Sequence, residues 1–147
     1  MPPWGNSALL NNTTGSNNTA TGTGALAANT TGARNTATGF QALFNSTTAV
    51  NNTAYGFQAP MNNTTGSGNT ALGFSVLSGN TTGAQNTAVG LGALSNNPSG
   101  FQNMALGGTA GRSVTIANNV ICIGSIGLNI SSSCFIGNIR GGHNRSE

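Results

Sequence analysis

Asn35-Thr36-Ala37-Thr38-Gly39-Phe40-Gln41-Ala42-Leu43-Phe44-Asn45-Ser46-Thr47-Thr48-Ala49-Val50-Asn51 decides the fold, because the pattern returns every 17 residues along the chain. Gly39 is its clearest tracer. Steps of 17 from it land on Gly5, Gly22, Gly56, Gly73, Gly90, Gly107, Gly124 and Gly141 without an insertion or deletion. A strict period of this size marks a repeat architecture, in which each unit buries its apolar face against its neighbours.

Counting each repeat from the Asn of Asn-Thr-Ala gives every position a chemical character. Position 3 is small, with Ala20, Ala37, Ala54, Ala71, Ala88 and Ala105, and becomes Cys122 near the end. Position 8 is Ala25, Ala42, Ala59, Val76, Ala93 and Ala110, and position 9 is large and apolar at Leu26, Leu43, Leu77, Leu94 and Leu128, broken by Pro60 and Gly111. Positions 12 to 15 read Asn-Thr-Thr-Gly, as in Asn63 to Gly66 and Asn80 to Gly83. Asn and Thr side chains bond their own backbone and Gly accepts positive φ, so this stretch is a turn.

The unit therefore reads as strand, short bend, strand, turn. It is too short for a helix with two linkers, and fixed glycines would weaken any helix. The expected fold is all-β: a parallel β-solenoid, or β-roll, of stacked 17-residue coils. At about 4.8 Å per coil the rod would be on the order of 40 Å long. Like residues then fall into ladders. The Asn ladder (Asn18, Asn35, Asn52, Asn69, Asn86, Asn103) and the Thr ladder beside it are expected to hydrogen-bond from coil to coil.

Alternation within the first strand puts positions 3 and 5 on one face and positions 4 and 6 on the other. The first face is Ala and Gly. The second carries Tyr55, Leu72 and Val89 at position 4, with Phe40, Phe57, Phe74 and Leu91 at position 6. Both faces being apolar, the second is expected to be covered by another copy of the chain.

From Val114 the composition turns β-branched. The expected divisions are a repeat array over 1–119, a Val/Ile-rich terminal coil or cap over 120–141 in the same register, and a frayed tail over 142–147. Cys122 and Cys134 lie 12 residues apart in one repeat. They read either as a disulfide across one coil or, more simply, as buried free thiols packing as small hydrophobes.

Composition excludes several function classes. The net charge of +3 comes from Arg34, Arg112, Arg140 and Arg145 against Glu147, with no basic stripe for nucleic acid. Glu147 and His143 are the one acid and the one imidazole, so no acid–base pair or triad can be assembled, and catalysis is not expected. Without Asp, calcium-binding turns are not expected either, and two cysteines alone make a poor metal site, so no cofactor or metal is assigned. No apolar run approaches a membrane span, and the N-terminus, already in register, reads as carrying no secretion signal. Sequons at Asn29, Asn45, Asn63 and Asn80 would be glycosylation sites in a glycosylating exporter, although an Asn/Thr-rich repeat produces sequons by chance.

The unit Asn-Thr-Ala-x-Gly-x-x-Ala-Leu-x-x-Asn-Thr-Thr-Gly, as in Asn18 to Gly32 and Asn69 to Gly83, resembles the repeats of phage and bacterial tail-fibre-type proteins. It is more distantly similar to the head repeats of trimeric autotransporter adhesins. The segment from Ile121 to Gly141 looks like the stretch that in such proteins precedes a C-terminal intramolecular chaperone domain. The resemblance implies a left-handed β-roll assembled as a homotrimer, serving as shaft or head of a fibre on a virion or cell surface, with a surface receptor or glycan as an expected partner. Two other readings stay open. One is an extracellular filament built by end-to-end stacking. The other is an ice-binding face on the Thr19/Thr21 and Thr36/Thr38 pairs, a pattern that stops at Tyr55.

Overall fold

The computed structural model describes residues 7–60 and 62–137. It is an all-β parallel solenoid of about 7 turns with repeats of about 17 residues. The expected repeat glycines Gly5 and Gly141 and the tail 142–147 lie outside the described residues.

Among the described residues each turn contributes one strand of three residues, not the two anticipated. The strands are β1 (Thr19–Thr21), β2 (Thr36–Thr38), β3 (Thr53–Tyr55), β4 (Thr70–Leu72), β5 (Thr87–Val89), β6 (Met104–Leu106), β7 (Ile121–Ile123) and β8 (Cys134–Ile136). They form a single 8-stranded parallel sheet in sequence order. The strands are short because position 5 ends them. Gly56, with φ at 137°, leaves extended geometry, and a Cβ there would run into the carbonyl oxygen of Gly73 in the next turn. Its N–H still bonds backward, to Thr38 O at 2.8 Å, so the glycine column hydrogen-bonds from turn to turn while bending the chain.

This bend corrects the expected alternation. Positions 2 and 4 point outward and position 3 inward, but position 5 does not share the inner face; Gly39, Gly56 and Gly73 are half-buried bends. The interior is built from positions 3, 8 and 9. Ala37, Ala42 and Leu43 are fully buried, as are Val76 and Leu77 two turns on and Ala88 three turns on. Leucine at position 9 adopts a left-handed backbone at Leu26, Leu43, Leu77 and Leu94, with φ from 49° to 52°. That conformation costs an L-residue about 1–2 kcal/mol, and burying the Leu side chain returns about 2 kcal/mol. Its N–H also bonds the Ala at position 8 of the next turn, as from Leu43 to Ala59 O at 3.0 Å. Pro60 has no N–H to give, and the apolar core divides into two clusters in that turn.

The period changes at the C-terminal end. Ile121 pairs with Cys134 and Ile123 with Ile136, a step of 13 residues where the preceding steps are 17. Gly137, not Gly141, follows the last strand as Gly124 follows β7, and its N–H bonds Ile123 O at 2.8 Å. The segment after Gly124 is thus not in the 17-residue register expected for 120–141. Leu128, assigned by that register to the interior, is 53% exposed.

Candidate functional site

Three systems of side chains distinguish this rod: two buried Asn ladders, an outward apolar strip, and an aromatic stack beside it.

The first ladder is position 1. Asn52 donates Nδ2–H to Gly66 O at 2.9 Å and to Asn35 Oδ1 at 3.2 Å, while its own Oδ1 accepts the backbone N–H of Asn69 at 2.9 Å. The backbone N–H bond recurs at Asn35, Asn86 and Asn103 and ends on Val120 N. These side chains are buried, from Asn35 to Asn103. They close each turn against its own interior and fix the spacing of the next, because a buried amide left unpaired would cost about 1–3 kcal/mol.

The second ladder is position 12. Asn29 Nδ2 donates to Asn12 Oδ1 and Asn80 Nδ2 to Asn63 Oδ1, each at 2.7 Å, and each also bonds the glycine carbonyl three residues on. Ser46 interrupts it, leaving Asn29 Oδ1 and Ser46 Oγ without partners, and it stops again after Asn80, whose Oδ1 is unpaired, as are both amide atoms of Asn97. Asn29, Asn63 and Asn80 are 0% exposed. They are therefore not glycosylation sites of the folded chain, a correction that follows from their structural use; Asn45 is half-buried and donates to Asn62 Oδ1 at 3.3 Å.

The apolar residues assigned to an intersubunit face all point outward, and the glycine bend sorts them into two columns. On the strand side stand Tyr55, Leu72 and Val89, continued by Leu106, Ile123 and Ile136 in the paired register. Tyr55 is 60% exposed and Leu72 45%. Past the bend, Phe40, Phe57 and Phe74 stack with ring centroids 5.1 Å apart, and Leu91 follows them. Sequence reasoning missed that position 2 joins the strip at one end, where Met104, Ile121 and Cys134 replace the threonines of β1 to β5. The outer face of the sheet thus grades from Thr19/Thr21 and Thr36/Thr38 to Met104/Leu106 and Ile121/Ile123.

Comparison with family models, with curated proteins and with solved structures gives no match. The reading of the surface rests on its own geometry.

The two thiols lie on opposite faces of neighbouring strands. Cys122 is buried at position 3 and Cys134 is exposed beside Ile121, so both are free, and the expectation that both are buried holds for Cys122 alone. Burial pushes the Cys122 thiol above its usual range, the nearby Cys134 adds to the rise, and a hydrogen bond with the Gly111 backbone opposes it. Among the described residues no three His, Cys, Asp or Glu side chains come together, and no helix is long and apolar enough to cross a membrane.

Proposed function

We propose that the chain is a non-catalytic structural rod that associates with itself through the outer face of its sheet. It serves as a shaft or head segment of a tail-fibre-like or adhesin-like appendage, outside a cell or on a virion, as a left-handed homotrimer. The observation that carries the reading is the outward column from Tyr55 to Ile136, unbroken over β3 to β8. At about 4.8 Å per strand it runs for on the order of 25 Å, and the flanking Met104 and Ile121 widen it. Soluble monomers rarely leave contiguous apolar surface of that extent open, whereas an oligomer interface uses it.

The polarity gradient supports a parallel arrangement. Copies aligned in the same direction lay aliphatic residues on aliphatic residues at the β8 end and threonines on threonines at the β1 end. An antiparallel pair would set Ile121 and Ile123 against Thr19 and Thr21, burying hydroxyls against side chains that offer them no partner. End-to-end stacking into a filament is the alternative mode of self-association.

Sedimentation tests the reading. The wild-type chain is expected to run as a trimer at micromolar concentration. Replacing Leu72, Leu106 and Ile123 by Thr, the residue that Thr21 and Thr38 already place at this position, should release folded monomers. A wild-type chain that sediments as a stable folded monomer overturns it, and electron micrographs separate short rods from filaments.

A further inference from the structure

In the turns of β5 and β6 the outer columns lose their large side chains, and a groove opens there. The aromatic column runs Phe40, Phe57, Phe74, shrinks to Leu91, and stops at Gly108. Beside it, position 7 carries Gln41 and Gln58, with Gln58 Nε2 donating to Gln41 Oε1 at 3.2 Å, and then drops to Ser75, Gly92 and Thr109. Both columns lose bulk in the same turns. A Cβ placed on Gly92 or Gly108 would meet nothing within 4 Å.

The resulting groove has a volume of about 240 Å³ and is lined by Phe74, Leu91 and Gly92, by Ser75, Ser95 and Thr109, and by Arg112. One face of the Phe74 ring is stacked on Phe57 at an interplanar angle of 3°, so its other face is turned along the rod toward the Leu91 turn. The backbone at Arg112 is held by Asn96, whose Nδ2 donates to the Arg112 carbonyl at 3.1 Å. The guanidinium has no acidic side chain to pair with among the described residues; the one carboxylate side chain in the sequence is Glu147.

An apolar ring face, three hydroxyls and an uncompensated guanidinium in a space that holds a single ring are complementary to one kind of ligand. We propose that this groove binds a carboxylate carried on a six-membered ring. The ring lies against Phe74 and Leu91, polar ring substituents or the carboxylate meet the hydroxyls, and the Arg112 guanidinium pairs with the carboxylate in a charge-assisted bond. A sugar acid and an aromatic acid share this chemistry. The groove is built by one chain and lies past the glycine bend from the Tyr55 to Ile136 column proposed for self-association, so the inference requires that column, and not Phe74 and Leu91, to carry the contact between copies.

The test is titration of the isotopically labelled full chain with D-glucuronate, benzoate and neutral D-glucose, followed by amide NMR. Saturable shifts are expected at Ser75, Gly92 and Thr109 with at least one of the two acids, and weaker ones with glucose. A response to glucuronate alone identifies a saccharide site, and a response to benzoate alone an aromatic one. Arg112→Gln should weaken acid binding about tenfold, the loss of a charge-assisted contact. Gly92→Gln should close the groove while keeping the fold, because Gln41 and Gln58 already hold the left-handed backbone of position 7 with φ at 54° and 52°. Neither acid giving saturable shifts, shifts confined to other parts of the rod, or unchanged binding by Arg112→Gln would each overturn the proposal.

Discussion

Ser46 and Ala49 are a matched pair. In the turns that carry Asn at position 12, position 15 is Gly, and a Cβ on Gly15, Gly32, Gly66 or Gly83 would collide with the amide oxygen of the Asn three residues before it. The two turns with Ala at position 15, at Ala49 and Ala117, are those that carry Ser46 and Val114 in place of Asn. The methyl group and the amide compete for one space. Ser46→Asn alone is therefore expected to overpack the turn and cost about 1–3 kcal/mol. Adding Ala49→Gly should restore stability, since the new amide can then reach Asn29 Oδ1, now unpaired. Denaturant melts of the two single variants and the double variant give the coupling energy, and additive behaviour would show that the two residues do not share a site.

Asn52→Ala should be among the most damaging single changes in the rod. It removes the donor to Gly66 O and the acceptor for Asn69 N–H in one step, both in the interior. With about 1–3 kcal/mol for each buried group left unpaired, a loss of several kcal/mol is expected. Thr48→Ala, at an exposed site with ordinary negative φ, should stay within about 0.5 kcal/mol. Equal melting temperatures for the two variants would mean that the ladder contributes nothing.

Gly56→Ala is expected to destabilise by more than about 3 kcal/mol. The left-handed backbone and the collision with the Gly73 carbonyl act together, and backbone is what would have to move. A thermal melt against wild type measures it, and a loss under 1 kcal/mol would show the turn spacing to be soft.

The thiols should differ in reactivity and in pH response. On the monomer released by the interface substitutions, Cys134, exposed, should label rapidly with a maleimide, and Cys122 only at the rate of unfolding. The folded state holds Cys122 protonated above the ordinary thiol value of 9.0, while the unfolded chain ionises near it. The stabilisation from its burial is therefore complete below pH 9 and lost as pH rises toward the higher folded value. Melting temperatures should fall on the alkaline side in wild type and less steeply in Cys122→Ala, which places the usual position 3 residue there.

Parallel copies bring their Cys134 side chains to the same end of the assembly. Mild oxidation by copper phenanthroline should join two of these thiols, which give up two protons and two electrons to the oxidant. Non-reducing electrophoresis would then show a dimer band that Cys134→Ser abolishes. An antiparallel pair sets Cys134 near the β1 end of its partner and gives no such band.

How far the sequence revealed this molecule varies with the kind of interaction. The turn spacing, the small interior at Ala37 and Ala42 and the outward Tyr55 and Leu72 were legible, because periodicity reports directly on stacking. The single short strand per turn was not. Alternation was carried across Gly39, whereas its positive φ breaks the extended geometry on which alternation depends. Asn29, Asn63 and Asn80 read as turn residues within sequons that an Asn/Thr-rich repeat produces by chance, and nothing local in the sequence says that stacked amides can pair with one another inside. The contraction of the last turn was hidden by coincidence: Gly137 follows the apolar Cys134 to Ile136, but Gly141 happened to continue the count. The groove beside Arg112 needed coordinates, since it is made by side chains that are missing from three adjacent turns.

The ladder bonds have a last consequence for length. From Asn18 to Val120 each turn is tied to its neighbours by contacts between equivalent positions, such as Asn35 to Asn18 and Asn52 to Asn35, so within this array the rod is edited most readily in whole units. Excising Phe57 to Gly73 would splice Gly56 to Phe74 and renew each contact one turn shorter. Excising one residue more or fewer would break the match at the junction, setting an amide against a position that is not its own. The protein is a ruler whose graduations are set by chemistry, and evolution can lengthen or shorten it by counting.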